Sequence, residues 1–289
     1  MLSSLLMELT QLAAPDFDLP VTLDSGQVFH WARQDRGFVG AIADSAVYIY
    51  QEGDSLEFKG ASSKIIAHYF ALDHPLLEIC ASFPDDLVMN AARDFCRGLR
   101  IIRQPKWECL ATFICSSMKQ VVHIRQISEA LRRRFGKAKQ ICACRIYTFP
   151  SAERLANARE KDLRECALGY RAKNLLATAR RVASGEVDLE AWSKLSDSAL
   201  QARLSDLPGV GAKVANCVML FAYERIAAFP IDVWIERVLR EKYFGSDGKV
   251  TAKTLANFAR NYFGAYGGYA QQYLFHCARK TTPRKRGPL

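Results

Sequence analysis

The chain has 289 residues, 49% of them apolar, which is enough to bury a sizeable core and excludes a disordered chain outside the termini. Forty Lys and Arg against thirty Asp and Glu leave a net charge of +10, which points to an anionic partner and first to nucleic acid, with plain solubility as the equally weighted alternative. Nine cysteines, an odd number scattered through apolar stretches, exclude a disulfide scaffold and read as reduced thiols of a reducing compartment.

Residues 1–12 are partly apolar, lack a basic leader and are too short to span a bilayer, so the chain reads as soluble and intracellular with no membrane role. Short strands are expected over Val28–Arg33, Phe38–Ala43, Ala46–Gln51 and Ser55–Lys59, parted by turns that carry Gly and Asp, and an antiparallel sheet fits them best. After Ser62 the pattern turns helical over Lys64–Leu72, Asp86–Leu99, Pro105–Phe135, Glu160–Cys166, Arg171–Ser184 and Ala199–Leu204. Ser198–Tyr223 reads as helix, hairpin, helix, followed by Val233–Phe244. Thr251–Lys280 forms a closing segment that Gly264, Gly267 and Gly268 split into two helices. The last nine residues, with Arg284, Lys285 and Arg286 between prolines, read as a basic, disordered tail. The expected fold class is α+β: an antiparallel β-sheet domain with flanking helices over 1–99, a helical region over 100–280, and the tail over 281–289.

Within Leu207-Pro208-Gly209-Val210-Gly211-Ala212-Lys213, two glycines flank one apolar residue and form a tight hairpin that opens directly into a helix. The N–H groups of Gly209 and Gly211 at such a helix start can grip a phosphate. Lys213 sits just inside that helix, where a lysine is ordinarily a solvated charge. The positive end of the helix disfavours a cation there by about 0.3–1 kcal/mol and so favours a neutral amine. Such an amine attacks an electron-poor sugar carbon and forms a Schiff base once the ring opens. Nineteen residues on, Phe229-Pro230-Ile231-Asp232 delivers a lone carboxylate to the start of the next helix. Asp232 reads as an N-cap, and a carboxylate held ionised by helix N–H donors also steadies a cationic sugar. Gln271 and Phe275, four apart, share one helix face, as Lys213 and Cys217 do. Core packing is the simpler reading of Phe275 and Cys217.

The hairpin motif and the later Pro-x-Asp-Val resemble the lysine-bearing, bifunctional helix-hairpin-helix (HhH-GPD) DNA glycosylases. Asp24-Ser25-Gly26-Gln27-Val28-Phe29-His30-Trp31 is similar to the Ser-Gly-Gln-x-Phe-x-Trp segment of the eukaryotic-type 8-oxoguanine DNA glycosylases. The likeness continues through Glu108-Cys109-Leu110, Ile114-Cys115-Ser116-Ser117, Leu168-Gly169-Tyr170-Arg171-Ala172 and Tyr269-Ala270-Gln271, spanning roughly residues 18–280. It implies a DNA repair N-glycosylase and abasic-site lyase that flips 8-oxoguanine out of double-stranded DNA, excises it through a Schiff base on Lys213 and nicks the strand 3′ to the site. Asp232 would assist charge and proton handling. By the same resemblance the Gly26 carbonyl accepts the N7–H that 8-oxoguanine has and guanine lacks, Cys217 and Phe275 sandwich the base, and Gln271 reads its Watson–Crick edge.

The sequence departs from that family at several positions. Met118-Lys119-Gln120 stands where the family carries an asparagine triplet whose first member fills the gap left by the base and contacts the opposite cytosine, and His123 replaces an arginine that reads the same cytosine. Methionine can wedge into a stack and cannot offer paired amide contacts. Tyr170 and Arg171 remain for the wedge and opposite-base roles, and relaxed opposite-base preference is expected. Trp234 replaces a family histidine, which with the compact length suggests a bacterial or archaeal-type member, associated with the nucleoid if prokaryotic. Lys119, with Ser116 and Lys173, is a candidate phosphate contact. No redox cofactor is required and no iron–sulfur cluster is expected, because one cysteine beyond residue 217 cannot supply four ligands, and Cys142-Ala143-Cys144 is a weak metal signal. The carbonyls around Leu207 and Val210 are the candidate holders of a structural cation. The resemblance implies a monomer. Two rival readings stand beside it: an HhH glycosylase for another damaged base, and a non-catalytic module that only grips DNA.

Overall fold

The computed structural model describes residues 9–245 and 250–282. Five antiparallel strands, β1 (Thr10–Ala13), β2 (Ala32–Gln34), β3 (Gly37–Ile42), β4 (Ser45–Glu52) and β5 (Ser55–Lys59), form one sheet in the order β1-β5-β4-β3-β2. Three of its hairpins close over two residues, with Asp35, Ala43 and Gly53 left-handed at φ +49, +50 and +57. Positive φ in such turns matches the right-handed twist of the strands they join. Ile49 lies opposite both Phe38 and Phe58, and one face of the sheet buries these with Val47 and Leu56 against Leu19, Ile66, Tyr69 and Phe70. Val39, Tyr48 and Tyr50, on the other face, meet Ile141 of a second hairpin, β6 (Ala138–Ile141) with β7 (Cys144–Tyr147).

The remaining described elements are helices, seven of which open on a side-chain cap. Asp18, Ser62, Asp86, Ser151, Ser196, Asp232 and Thr251 each accept a first-turn N–H. The helices over Lys106–Ser116, Arg171–Ala183, Ala212–Tyr223 and Gly267–Thr281 form the centre of the larger core. Leu76–Ala81 and Leu87–Phe95 precede residue 99 yet contribute Leu76, Ile79, Met89 and Ala92 to this core, so packing assigns them to the helical part. A buried cluster ties sheet to helices: Arg132 meets the Glu108 carboxylate, and His30, whose Nδ1 lies 3.5 Å from Glu108, reaches the Ala41 carbonyl of β3 at 2.8 Å.

Four sequence expectations change. Val28–Trp31 is a loop driven into the core, with Val28, Phe29 and Trp31 all buried, and strand pairing starts only at Ala32. The expected helix over Pro105–Phe135 is two helices, Lys106–Ser116 and Val121–Phe135, broken where Ser117 turns extended (ψ 126) and Met118 left-handed (φ +53). The strands β1, β6 and β7 were not expected: polar side chains fill much of them, and pairing partners rather than local pattern make them strands. The closing segment does break at Gly264 (φ +63), and its second helix runs through Thr281 with Thr282 as its cap, beyond the expected end at Lys280. The rest of the expected tail, 283–289, lies outside the described residues. Among the described residues no helix is long and apolar enough to cross a membrane.

Candidate active site

The hairpin joins the helix Asp197–Ser205 to the helix Ala212–Tyr223. Leu207 and Val210 are buried anchors, and Val210 N–H closes the turn on the Leu207 carbonyl at 3.1 Å. Gly209 takes φ +82, and a Cβ there would meet the Asn174 side chain at 2.8 Å. Gly211, exposed and with open space where a Cβ would stand, caps the second helix, whose first-turn N–H groups take no side-chain cap.

In the first turn of that helix, half-buried Lys213 donates from Nζ to Ser116 Oγ at 3.3 Å and lies 5.0 Å from the Phe113 ring centroid. Burial pushes the Cys217 thiol up to about 11, against the pull of the Lys213 charge and with a push from Asp232, which sets all three groups within electrostatic reach. Asp232 caps Val233–Val238, its Oδ1 accepting Ile235 N–H at 2.9 Å. Burial raises its carboxyl above the usual carboxylate value, opposed by the Ile235 and Trp234 amides and by Lys213. The cap expected from sequence is therefore present, while desolvation works against the ionised state that the cap favours. Ser116, 4% exposed, lies too deep for a phosphate contact, and its hydroxyl donates to the Phe113 carbonyl at 2.7 Å.

The second half of the site is the Asp24–Gln27 loop. Arg279 donates to the Asp24 carbonyl, Gln272 Nε2 to the Ser25 carbonyl at 3.0 Å, and Gln104 Nε2 to the Gln27 carbonyl at 2.7 Å. Among the described residues no donor reaches the carbonyl between them, that of Gly26. Gly26 takes φ +87, and a Cβ on it would approach Phe275 Cε1 to 3.0 Å and Val121 Cγ2 to 3.5 Å, so only glycine brings the backbone this close to the ring. Gln27 is fully buried and holds the loop from below: Nε2 donates to Ser25 Oγ at 2.9 Å and the Arg100 carbonyl at 2.8 Å, while Oε1 accepts Ile102 N–H at 2.7 Å. Gln271, 4% exposed, keeps Oε1 buried without a partner among the described residues, an acceptor whose desolvation nothing in the protein offsets. Sequence reasoning missed Gln27, Gln104, Gln272 and Arg279 as supports of this loop. The one available signal was a second glutamine beside Gln271 in the buried part, Gly267–His276, of the helix Gly267–Thr281.

The break between helices presents Met118, 92% exposed, with exposed His123 after it and half-buried Lys119 donating its backbone N–H to the Ser116 carbonyl at 3.1 Å. Tyr170 is exposed. Arg171 is not: it is buried, with Nε donating to the Ser117 carbonyl at 2.7 Å and Nη1 to the Leu168 carbonyl at 3.3 Å, so it braces the turn that displays Met118. Trp234 packs under Arg237, 5.4 Å from guanidinium to ring centroid. A cleft of about 610 Å³ opens beside the loop, lined by Asp24, Arg33, Phe95, Arg125, His276 and Lys280 among others, and contains neither Lys213 nor Asp232. No group of three or more His, Cys, Asp or Glu among the described residues is placed to hold a metal ion.

Comparison with known proteins follows this division of the site. Residues 10–110 match the N-terminal domain of 8-oxoguanine DNA glycosylase, and residues 111–262 match the HhH-GPD superfamily of base excision DNA repair proteins. A probable N-glycosylase/DNA lyase of Methanothermobacter thermautotrophicus is 30% identical over 220 residues, covering 69% of this chain and 70% of that protein. The N-glycosylase/DNA lyase OGG1 of Arabidopsis thaliana is 28% identical over 288 residues, 92% of this chain and 78% of that protein. The crystal structure of the Clostridium acetobutylicum 8-oxoguanine glycosylase/lyase, in complex with double-stranded DNA containing cytosine opposite 8-oxoguanine, is 30% identical with a TM-score of 0.87 and covers 94% of this chain and 98% of that one.

Proposed function

The chain belongs to the HhH-GPD superfamily of base excision DNA repair proteins, and from that membership we propose that it excises 8-oxoguanine from double-stranded DNA and cleaves the strand through a Schiff base on Lys213. It is a DNA N-glycosylase and lyase by its relatives. The neutral amine of Lys213 attacks C1′, the N–C1′ bond forming as the bond to the base breaks and its electron pair leaves with the base, which takes up a proton. Loss of a proton from nitrogen and opening of the ring give the Schiff base, and removal of a C2′ proton then expels the 3′ phosphate. Asp232 stabilises the positive charge that develops on the sugar.

The observation that carries the substrate reading is the free Gly26 carbonyl. With the carbonyls of Asp24, Ser25 and Gln27 all engaged, the loop offers one free acceptor, on half-buried Gly26 beside the Phe275 ring. The N7–H of 8-oxoguanine satisfies it, whereas the N7 lone pair of guanine would leave two acceptors facing each other. Phe275 and Cys217 are assigned to the two faces of the base, and Gln271, with its unpartnered Oε1, to its Watson–Crick edge. Gly209, Gly211 and Lys119 are assigned to phosphates, and a monovalent or divalent cation at the Leu207 and Val210 carbonyls fits their hard oxygen donors. No redox cofactor enters this scheme. A reducing, DNA-containing compartment accords with the nine free thiols, and the family resemblance supports a monomer.

Opposite the lesion, exposed Met118 supplies an apolar wedge without paired hydrogen bonds, and His123 and Tyr170 are exposed as well, which supports relaxed preference for the opposite base. The test is single-turnover cleavage of duplexes holding 8-oxoguanine opposite each of the four bases, with borohydride present, for the unaltered protein and Lys213→Gln. Covalent trapping that disappears in Lys213→Gln, with cleavage opposite several bases, is the expected result. Tight, salt-sensitive binding without trapping would instead indicate a binding module or a glycosylase for another lesion. Cleavage opposite cytosine exceeding that opposite adenine by several hundredfold would overturn the relaxed-preference reading alone.

A further inference from the structure

One buried hydroxyl beside the nucleophile has no part in the scheme above. Ser116 ends the 11-residue helix Lys106–Ser116. Its Oγ donates to the Phe113 carbonyl, three residues back, at 2.7 Å. A hydroxyl has one proton, so that bond leaves Oγ with lone pairs alone to present to Lys213 Nζ at 3.3 Å. The placement is held from both sides. Phe113, on the serine helix, keeps its ring centroid 5.0 Å from Nζ, and it stacks on Phe221 of the lysine helix with centroids 5.5 Å apart and planes 11° apart.

We infer that Ser116 is a positioning residue for the nucleophile, an inference that rests on the reading of Lys213 as the Schiff-base amine. It accepts one N–H of Lys213 and fixes where the amine stands. Because its own proton is committed to Phe113, it does not donate to the amine lone pair, and the lone pair stays available for C1′. A hydroxyl with a free proton at the same place would compete for that lone pair and blunt the attack. Fixing the attacking atom is where such a contact has leverage, because small misplacements of reacting groups cost large factors in rate.

The test compares Ser116→Ala and Ser116→Thr with the unaltered protein in single-turnover borohydride trapping at saturating enzyme on an 8-oxoguanine duplex. Affinity is measured in parallel on a duplex carrying a tetrahydrofuran abasic analogue. Threonine makes the same bond to the carbonyl three residues back and preserves the acceptor. Ser116→Ala is expected to slow trapping about tenfold, the equivalent of one hydrogen bond, while affinity stays within about twofold. Ser116→Thr is expected to return trapping to within about threefold of the unaltered rate. Trapping by Ser116→Ala at the unaltered rate would overturn the inference. So would equal losses of rate and affinity, or equal slowing in both variants, since those mark packing alone. Lys213→Gln separates the two readings: if it still traps, the nucleophile assignment fails and this inference falls with it, whereas trapping lost in Lys213→Gln and intact in Ser116→Ala overturns only the role of Ser116.

Discussion

Replacing Gln27 with alanine should both destabilise the protein and release the Gly26 loop. The side chain is fully buried and makes three hydrogen bonds of 2.7–2.9 Å, to Ser25 Oγ, the Arg100 carbonyl and Ile102 N–H. Ser25 Oγ keeps a partner in the Thr22 carbonyl at 2.7 Å. The Arg100 carbonyl and the Ile102 amide, both on buried residues, lose theirs. An orphaned buried main-chain group costs about 1–3 kcal/mol, so the pair costs about 4 kcal/mol at mid-range. At about 2–4 °C per kcal/mol, Tm should fall by roughly 8–16 °C. Calorimetry of the unaltered and Gln27→Ala proteins measures this directly, and single-turnover rates on 8-oxoguanine below the lowered Tm measure the loop. A fall in Tm under about 3 °C would show that water or repacking satisfies both groups and would refute Gln27 as the support. A full fall in Tm with unchanged excision would refute the link from Gln27 to the Gly26 carbonyl.

Asp232→Asn keeps a competent N-cap, and because burial raises the carboxyl of Asp232 in the folded state, its ionised form at neutral pH is a cost of folding that the amide removes. Stability at pH 7 should be unchanged or higher, while excision falls about 100-fold or more; a large loss of Tm would show that the carboxylate is primarily structural. Arg132→Met should cost about 3–5 kcal/mol by leaving Glu108 buried and unpaired, and adding Glu108→Gln should recover much of it, as read by denaturant unfolding; a double variant no more stable than the single one would rule out the pair as the cause. Burial and then the Arg279 charge lower the His276 imidazole to about 4 from 6.5. The unfolded chain therefore binds this proton first as pH falls, and the stability His276 contributes above pH 6.5 is lost between 6.5 and 4, about 2 kcal/mol of it by pH 5. Unfolding at pH 7 and pH 5 should show that loss in the unaltered protein and a smaller one in His276→Gln, and equal losses would exclude His276 as the source.

The parts of the site that could be read from sequence are those whose chemistry is local. The Gly209–Gly211 hairpin, the Asp232 cap and the i, i+4 pairs Lys213/Cys217 and Gln271/Phe275 depend on neighbours in the chain, and each stands in the element expected for it. Strands β3, β4 and β5 were readable for the same reason, as short runs bounded by tight turns, with β3 buried throughout and β5 alternating. What could not be read depends on distant partners. The Ser117–Gln120 break contains neither glycine nor proline, and Arg171, 54 residues away, braces the Ser117 carbonyl that ends the helix. Val28–Trp31 has the composition of a strand, yet Gln27 is fixed to Arg100 and Ile102, more than 70 residues on, which draws the segment into the core instead of along the sheet edge.

The same distinction explains why the Asp24–Gln27 loop is held as a unit. A glycine carbonyl reads one proton of a base only if its neighbours cannot offer competing acceptors and the loop cannot shift to satisfy itself. Here Arg279 and Gln272 from the closing helix and Gln104 from the segment before Lys106–Ser116 take up the three neighbouring carbonyls, while Phe275 crowds the Gly26 Cα. On the proposed reading, the closing helix supplies both the ring against which the base would stack and two of the donors that occupy the carbonyls beside the reading one. A substitution at Gln272 or Arg279 that leaves Phe275 untouched should therefore weaken the choice between 8-oxoguanine and guanine more than it weakens binding of the duplex, because it adds a competing acceptor without removing the stacking surface.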